Sequence, residues 1–320
     1  SGSASATSVL NVNSNNFGTF GHTVVGSGVI TFITVSSTNL TTSISSNTFT
    51  NVTVNTTGSV TFISNSITVP AGGTQTINGN SIVTAFNKTG AGGTVTGITS
   101  GGSSTTVTQN WNNNNFSNIT VTGATIITAI NNADGGSVNH NITGNTISNI
   151  VGGTSTITGI NSSFGGANGG SGNLVSGNTI TGISCACAIG GITIGSSGTS
   201  STVLSNTIGG FASTGAFAVL GISSAAPTSV SISKNKIYDL SGSNAGTTVQ
   251  GISITAGSSS TIFNNLIGDL RATAATSGLT DIIRGLSVTS TTTSSTINAS
   301  FNTIYINATS SGASFSTSGV

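Results

Sequence analysis

The stretch "SISKNKIYDL", residues 231–240, is followed by "TIFNNLIGDL" at 261–270, and the two share an asparagine, an apolar pair and a terminal DL. In each, an asparagine (Asn235, Asn265) is preceded at three residues by isoleucine (Ile232, Ile262). It is followed at two residues by another isoleucine (Ile237, Ile267) and at five by leucine (Leu240, Leu270). Such a pair is either a duplicated site or one turn of a structure that repeats throughout, and only extending the register can decide between them.

Extended over the chain, the asparagine recurs at spacings of roughly thirty residues: Asn15, Asn47, Asn80, Asn114, Asn145, Asn178, Asn206, Asn235, Asn265 and Asn302. The position three before is apolar almost without a break (Val12, Ile44, Ile77, Trp111 and onward to Ala299), as is the position two after, from Phe17 to Ile304. A third column, five after, includes Phe20, Val52, Ala85, Ile119 and Leu270 and fails at Asn307. A fourth follows a variable loop as a small residue and an aliphatic one, from Gly97-Ile98 to Gly319-Val320.

Short segments rich in Ile, Val and Thr, separated by Gly, Ser and Asn, read as strands and tight turns, and no stretch sustains a helical apolar period. A thirty-residue unit of about three strands cannot bury an apolar face alone, whereas about ten units stacked coil on coil bury a continuous core. The expected fold is therefore all-β: a single continuous right-handed parallel β-helix over residues 1–320, right-handed because crossovers between parallel strands overwhelmingly take that hand. The asparagine column has a physical reason. Asparagine tolerates the left-handed backbone of a tight corner, and its amide bonds the asparagines above and below. A row of exposed amides binding sugar hydroxyls is the competing reading.

Composition narrows the function classes. Charged residues make up 3% of the chain, glutamate is absent and the formal net charge is +1. No basic patch is available for a phosphate backbone, so nucleic acid is excluded as a partner, and no apolar run or amphipathic helix suits membrane insertion. No signal peptide opens the chain, and it starts at Ser1 without methionine. Neither end carries a recognisable cap, so the expected partner is further coils of the same chain or a second copy stacked end to end, with surface glycans as a further candidate.

Four aspartates and five basic residues are the chemistry on offer. Asp239 and Asp269 share a register and should lie about 5 Å apart, one coil apart, near the carboxylate spacing of a retaining glycosidase. The same column elsewhere holds Asn51, Thr84, Asn118, Asn149, Gly182 and Gly210, which marks a polar corner. The cluster Lys236, Asp239, Asp269 and Arg271 is thus a weak candidate, and the expectation is a chain without catalytic, cofactor or metal site. Tyr238 and Tyr305, two coils apart, are the nearest approach to a sugar platform. Cys185 and Cys187 read as small buried residues, since a zinc site needs about four ligands and the histidines, His22 and His140, belong to other coils. No calcium-binding nonapeptide repeat occurs. The outward pairs before the asparagines, such as Thr76/Asn78 and Asn110/Asn112, are too irregular for an ice-binding threonine face.

The terminal "FNTIYINATSSGASFSTSGV", 301–320, with the coils "GNTISNI", "SNTIGGF" and "KNKIYDL", resembles repeats of large secreted β-helix proteins of Bacteroidota and related bacteria. That resemblance covers most of the chain. It implies export to the cell surface and a role as adhesin stalk or surface fibre, in contrast to a polysaccharide-binding or polysaccharide-cleaving β-helix. Partner contacts would fall on the variable loops, 164–174 and 271–284.

Overall fold

The computed structural model describes residues 7–320, apart from 103–104, 136, 164–171, 196–199, 226–227, 277–280 and 313–314. Loop 164–174 therefore lies mostly outside the described residues, as does part of 271–284.

Parallel strands stack into three long faces. Sheet A is a 10-stranded ladder from Val9–Asn13 to Thr296–Ser300, and sheet C is a second from Ile30–Val35 to Thr317–Ser318. Sheet B is a third 10-stranded ladder from Gly21–Gly26 to Thr303–Tyr305, with a short 3-stranded companion (Asn16–Gly18, Thr48–Thr50, Ser81–Ile82) at its start. Every pairing is parallel and joins one coil to the next, so the chain is a parallel β-solenoid of about 9 turns with ~32-residue repeats. Successive ladder asparagines lie between 28 and 37 residues apart. Among the described residues there is no helix, and none long and apolar enough to cross a membrane.

The apolar columns align as the repeat predicts. Val12, Ile44, Ile77, Trp111, Ile142, Val175, Val203, Ile232, Ile262 and Ala299 are successive partners in sheet A. Interior members such as Ile44, Trp111 and Ile237 are fully buried in one hydrophobic cluster.

One expected member of the third column is wrong. Phe86, not Ala85, pairs with Ile119, and it is buried while Ala85 is exposed. The coil carries one extra residue between Ile82 and Phe86, and a one-residue slip turns every following side chain to the other face. In the last coil Asn307 is exposed, and Ile306 and Ala308 pack against the core instead. The fourth column also begins earlier than expected, because Phe32-Ile33 and Phe62-Ile63 precede Gly97-Ile98 in register. From Gly97 onward small residues are required. A Cβ at Gly221 would sit 2.7 Å from Ile237 and 2.5 Å from the Gly251 carbonyl.

The corners correct a second expectation. The left-handed residue is not the ladder asparagine but the one before it: Ser46 (φ 58°), Gly79 (65°), Asn113 (55°), Gly144 (64°) and their equivalents. A second left-handed position lies four after the asparagine, at Asn51, Asn118, Asn149, Gly182, Gly210, Asp239 and Asp269. It bends sheet B so that residues three apart, such as Ile147 and Ile150, both point inward. Gly, Asn and Asp suit this position because they pay little for φ > 0.

Candidate functional site

The asparagine ladder is complete. Each asparagine donates through Nδ2 to Oδ1 of the next, at 2.8–3.0 Å from Asn47 to Asn265. The same Oδ1 also accepts the preceding asparagine's backbone N–H, and Nδ2 donates to a sheet A carbonyl of the preceding coil, as Asn145 does to Trp111 O at 2.9 Å. Asn47 through Asn265 are buried with every amide valence used, which leaves nothing for a sugar hydroxyl. The residue type is explained by this four-way amide geometry rather than by backbone tolerance.

The aspartate cluster assembles, in a form suited to charge balance. Arg271 reaches Asp239 through Nη2 and lies 3.5 Å from Asp269 through Nε. Its side chain is 41% exposed and those of the aspartates are 39% and 54% exposed. The two carboxylates occupy left-handed corners, where Asp is tolerated for its backbone, and one guanidinium bridges them. Lys236 lies elsewhere, with its ammonium 4.6 Å from the centre of the Tyr238 ring. Tyr238 also packs where a Cβ on Gly209 would meet its ring at 3.0 Å, so its faces are not free. Gly268 separates it from Tyr305 in register, as the repeat predicts.

Cys185 and Cys187 are buried, but they are not separate packing residues: the structure joins them in a disulfide with Cα atoms 5.2 Å apart. Among the described residues no three His, Cys, Asp or Glu side chains converge as a metal site.

Three features escaped the sequence reading. First, sheet C carries the regular outward column that sheet A lacks: Thr31, Thr61, Thr96, Thr128 and Thr158 are successive partners. Beside it runs an unbroken hydroxyl and amide column from Thr34 to Ser287, in which Asn131 donates to Thr99 (3.2 Å) and Asn161 to Asn131 (2.8 Å).

Second, Lys88 points inward at 1% exposure. Its ammonium donates to the carbonyls of Gly90 and Gly92, the latter at 2.7 Å, and lies 3.4 Å from Thr125 Oγ1. Burial pulls its pKa below the usual lysine value.

Third, a polar seam runs inside the coil at the corner between sheets C and A. Asn65, Ser100, Asn132 and Ser162 end the sheet C strands. Gln75, Gln109, His140 and Asn173 are successive partners in sheet A. All are at most 2% exposed. Asp134 lies between the two columns, accepting from Ser100 Oγ and from Gly102 N (2.7 Å), with Oδ2 3.6 Å from His140 Nε2. Burial raises the Asp134 pKa to about 6, against the opposing effect of Ser100, Gly102 and Gln109, and lowers that of His140 to about 3.

These features define a class, a parallel β-solenoid with an internal asparagine ladder. Comparison with protein families, with curated proteins and with solved structures finds no match for the chain.

Proposed function

We propose that this chain is a non-catalytic extracellular structural rod, a cell-surface adhesin stalk or a building block of an extracellular fibre. The observation that carries the reading is the unbroken ladder from Asn15 to Asn302, which devotes the described chain to one axis of stacked hydrogen bonds. Three others support it. The Cys185–Cys187 disulfide suits an oxidising compartment. The exposed aspartates Asp239 and Asp269 are balanced locally by Arg271. The resemblance of the coils to secreted bacterial surface repeats points the same way. The rod's partners are further coils of its own kind.

Immunogold labelling of the cells that make the protein tests this: label on intact cells is expected, and label confined to permeabilised cells overturns it. A second reading, polysaccharide binding, is favoured by the hydroxyl and amide columns on sheet C. It predicts retention of the protein on an insoluble polysaccharide, lost when Thr61, Thr96 and Thr128 are all changed to Lys. Release of reducing ends that disappears in the double variant Asp239→Ala, Asp269→Ala would refute the non-catalytic reading.

A further inference from the structure

We propose that the seam between sheets C and A is a binding site for ordered water: a short internal file held by Asn65, Gln75, Gln109, Asn132 and Asn173. The two columns touch where Asn173 Nδ2 donates to Ser162 Oγ at 2.8 Å. Direct contacts nevertheless leave five buried atoms without a protein hydrogen bond, namely Asn65 Oδ1, Gln75 Nε2, Gln109 Oε1, Asn132 Nδ2 and Asn173 Oδ1, while the Gln109 amide nitrogen turns to Asp134. An amide stranded in this way is among the costlier defects a folded chain can carry.

The chemistry of the set selects the ligand. Three of the atoms are acceptors and two are donors. A metal ion answers acceptors alone and an anion donors alone, whereas water does both. Exchanging oxygen and nitrogen in any one of these amides still leaves both kinds in the set. At about three hydrogen bonds per buried water, the set calls for roughly two molecules. Asp134 Oδ2, too far from His140 for a direct bond, faces the same seam.

The file also has limits in the sequence. Next to Asn65 the sheet C column becomes Val35, and beyond Ser162 it becomes Ile194, both buried and apolar. The site thus spans the middle coils and is bounded by hydrocarbon on its sheet C side, while its sheet A column continues through the buried hydroxyls of Thr42 and Ser201.

The deciding experiment is a crystal structure of the native chain at a resolution that shows individual waters. The expected result is discrete density within hydrogen-bonding distance of at least two of the named amides, bonded to both donors and acceptors. Amides paired directly with one another and no density between them would overturn the proposal. So would a peak ringed by oxygen atoms alone at metal distances. In solution, oxygen-17 relaxation dispersion of the native protein should show long-lived waters whose amplitude falls in Gln109→Leu, with folding checked by circular dichroism. An unchanged amplitude in a folded variant also overturns it.

Discussion

Replacing Asn145 by alanine isolates what the ladder contributes. The Asn145 side chain accepts from Asn114 N (2.9 Å) and Asn114 Nδ2 (3.0 Å) and donates to Trp111 O and Asn178 Oδ1. Asn178 Oδ1 keeps one donor after the change, because the backbone N–H of residue 145 still reaches it at 2.9 Å. Trp111 O keeps its sheet A partner across the Asn112–Thr143 pair, and two groups, Asn114 N–H and one Asn114 Nδ2 hydrogen, are left unpaired in a site with no solvent exposure. At about 1–3 kcal/mol each, the loss is roughly 2–6 kcal/mol. Asn15 provides the control: it is exposed at the ladder's end, and its side chain only donates to Asn47 Oδ1, so Asn15→Ala should cost under about 1 kcal/mol. Asn145→Asp keeps the volume but sets an oxygen against two acceptor oxygens, and at neutral pH it should be at least as damaging as alanine. The assay is guanidinium unfolding followed by far-UV circular dichroism. If Asn145→Ala and Asn15→Ala unfold at the same midpoint, or if Asn145→Asp is neutral, the ladder is not a stabilising element and the reasoning fails.

Other outcomes follow from single sites. Asp134 and His140 shift in opposite senses, so their pH effects oppose each other. Between about pH 4 and 6 the folded state holds a proton on Asp134 that the unfolded chain releases, so stability falls with rising pH. Over the same window unfolding adds a proton to His140, so stability rises, each slope being about 1.4 kcal/mol per pH unit. The native protein should therefore show little dependence from this pair, Asp134→Asn should gain stability as pH rises from 4 to 6, and His140→Gln should lose it. Parallel curves for all three proteins would refute the assignment. Ile237→Asp places a charge at a fully buried position and should abolish the folded signal over several coils; an unchanged melting curve would mean the column does not point inward. Thiol titration of the denatured, unreduced chain should find no free thiol, and two would refute the Cys185–Cys187 bond.

The repeat was legible because it is written in residue types that have one use each. An asparagine flanked at fixed offsets by aliphatic residues leaves little freedom, and the sheet A register of Val12 through Ala299 follows from it without adjustment. What was missed has definite causes. Gln75, Gln109, His140 and Asn173 stand five residues before their asparagines, the same strand parity as the apolar column at three before, so the alternation already placed them inside. Their polarity argued for the surface and hid the seam. Lys88 was hidden by the inserted residue before Phe86: in the uncorrected register Asn87 points inward and Lys88 outward. The disulfide was invisible because two cysteines one residue apart are as easily explained by size, and only geometry brings the sulfurs together.

The same geometry explains where a rod of this kind is strong and where it is vulnerable. Hydrogen bonds of the sheets and of the asparagine ladder run from coil to coil, so tension along the axis loads them one coil at a time. In a solenoid each repeat contacts only its neighbours, and stability is close to a sum of local terms. A defect at Asn145 therefore weakens its own coil and the two beside it, not the molecule uniformly. That makes the middle coils the informative ones: they combine the fully buried ladder with the polar seam around Asp134, where packing is supplied by amides rather than hydrocarbon. Coils beyond Ile194, whose sheet C corner alternates with Ile254 and ends in Val288, carry no comparable cluster among the described residues. Opening under load should begin in the seam coils, and hydrogen exchange should rank their amides below those of sheet B between Lys236 and Ala272. The opposite ranking would show that the seam is as well satisfied as the apolar core.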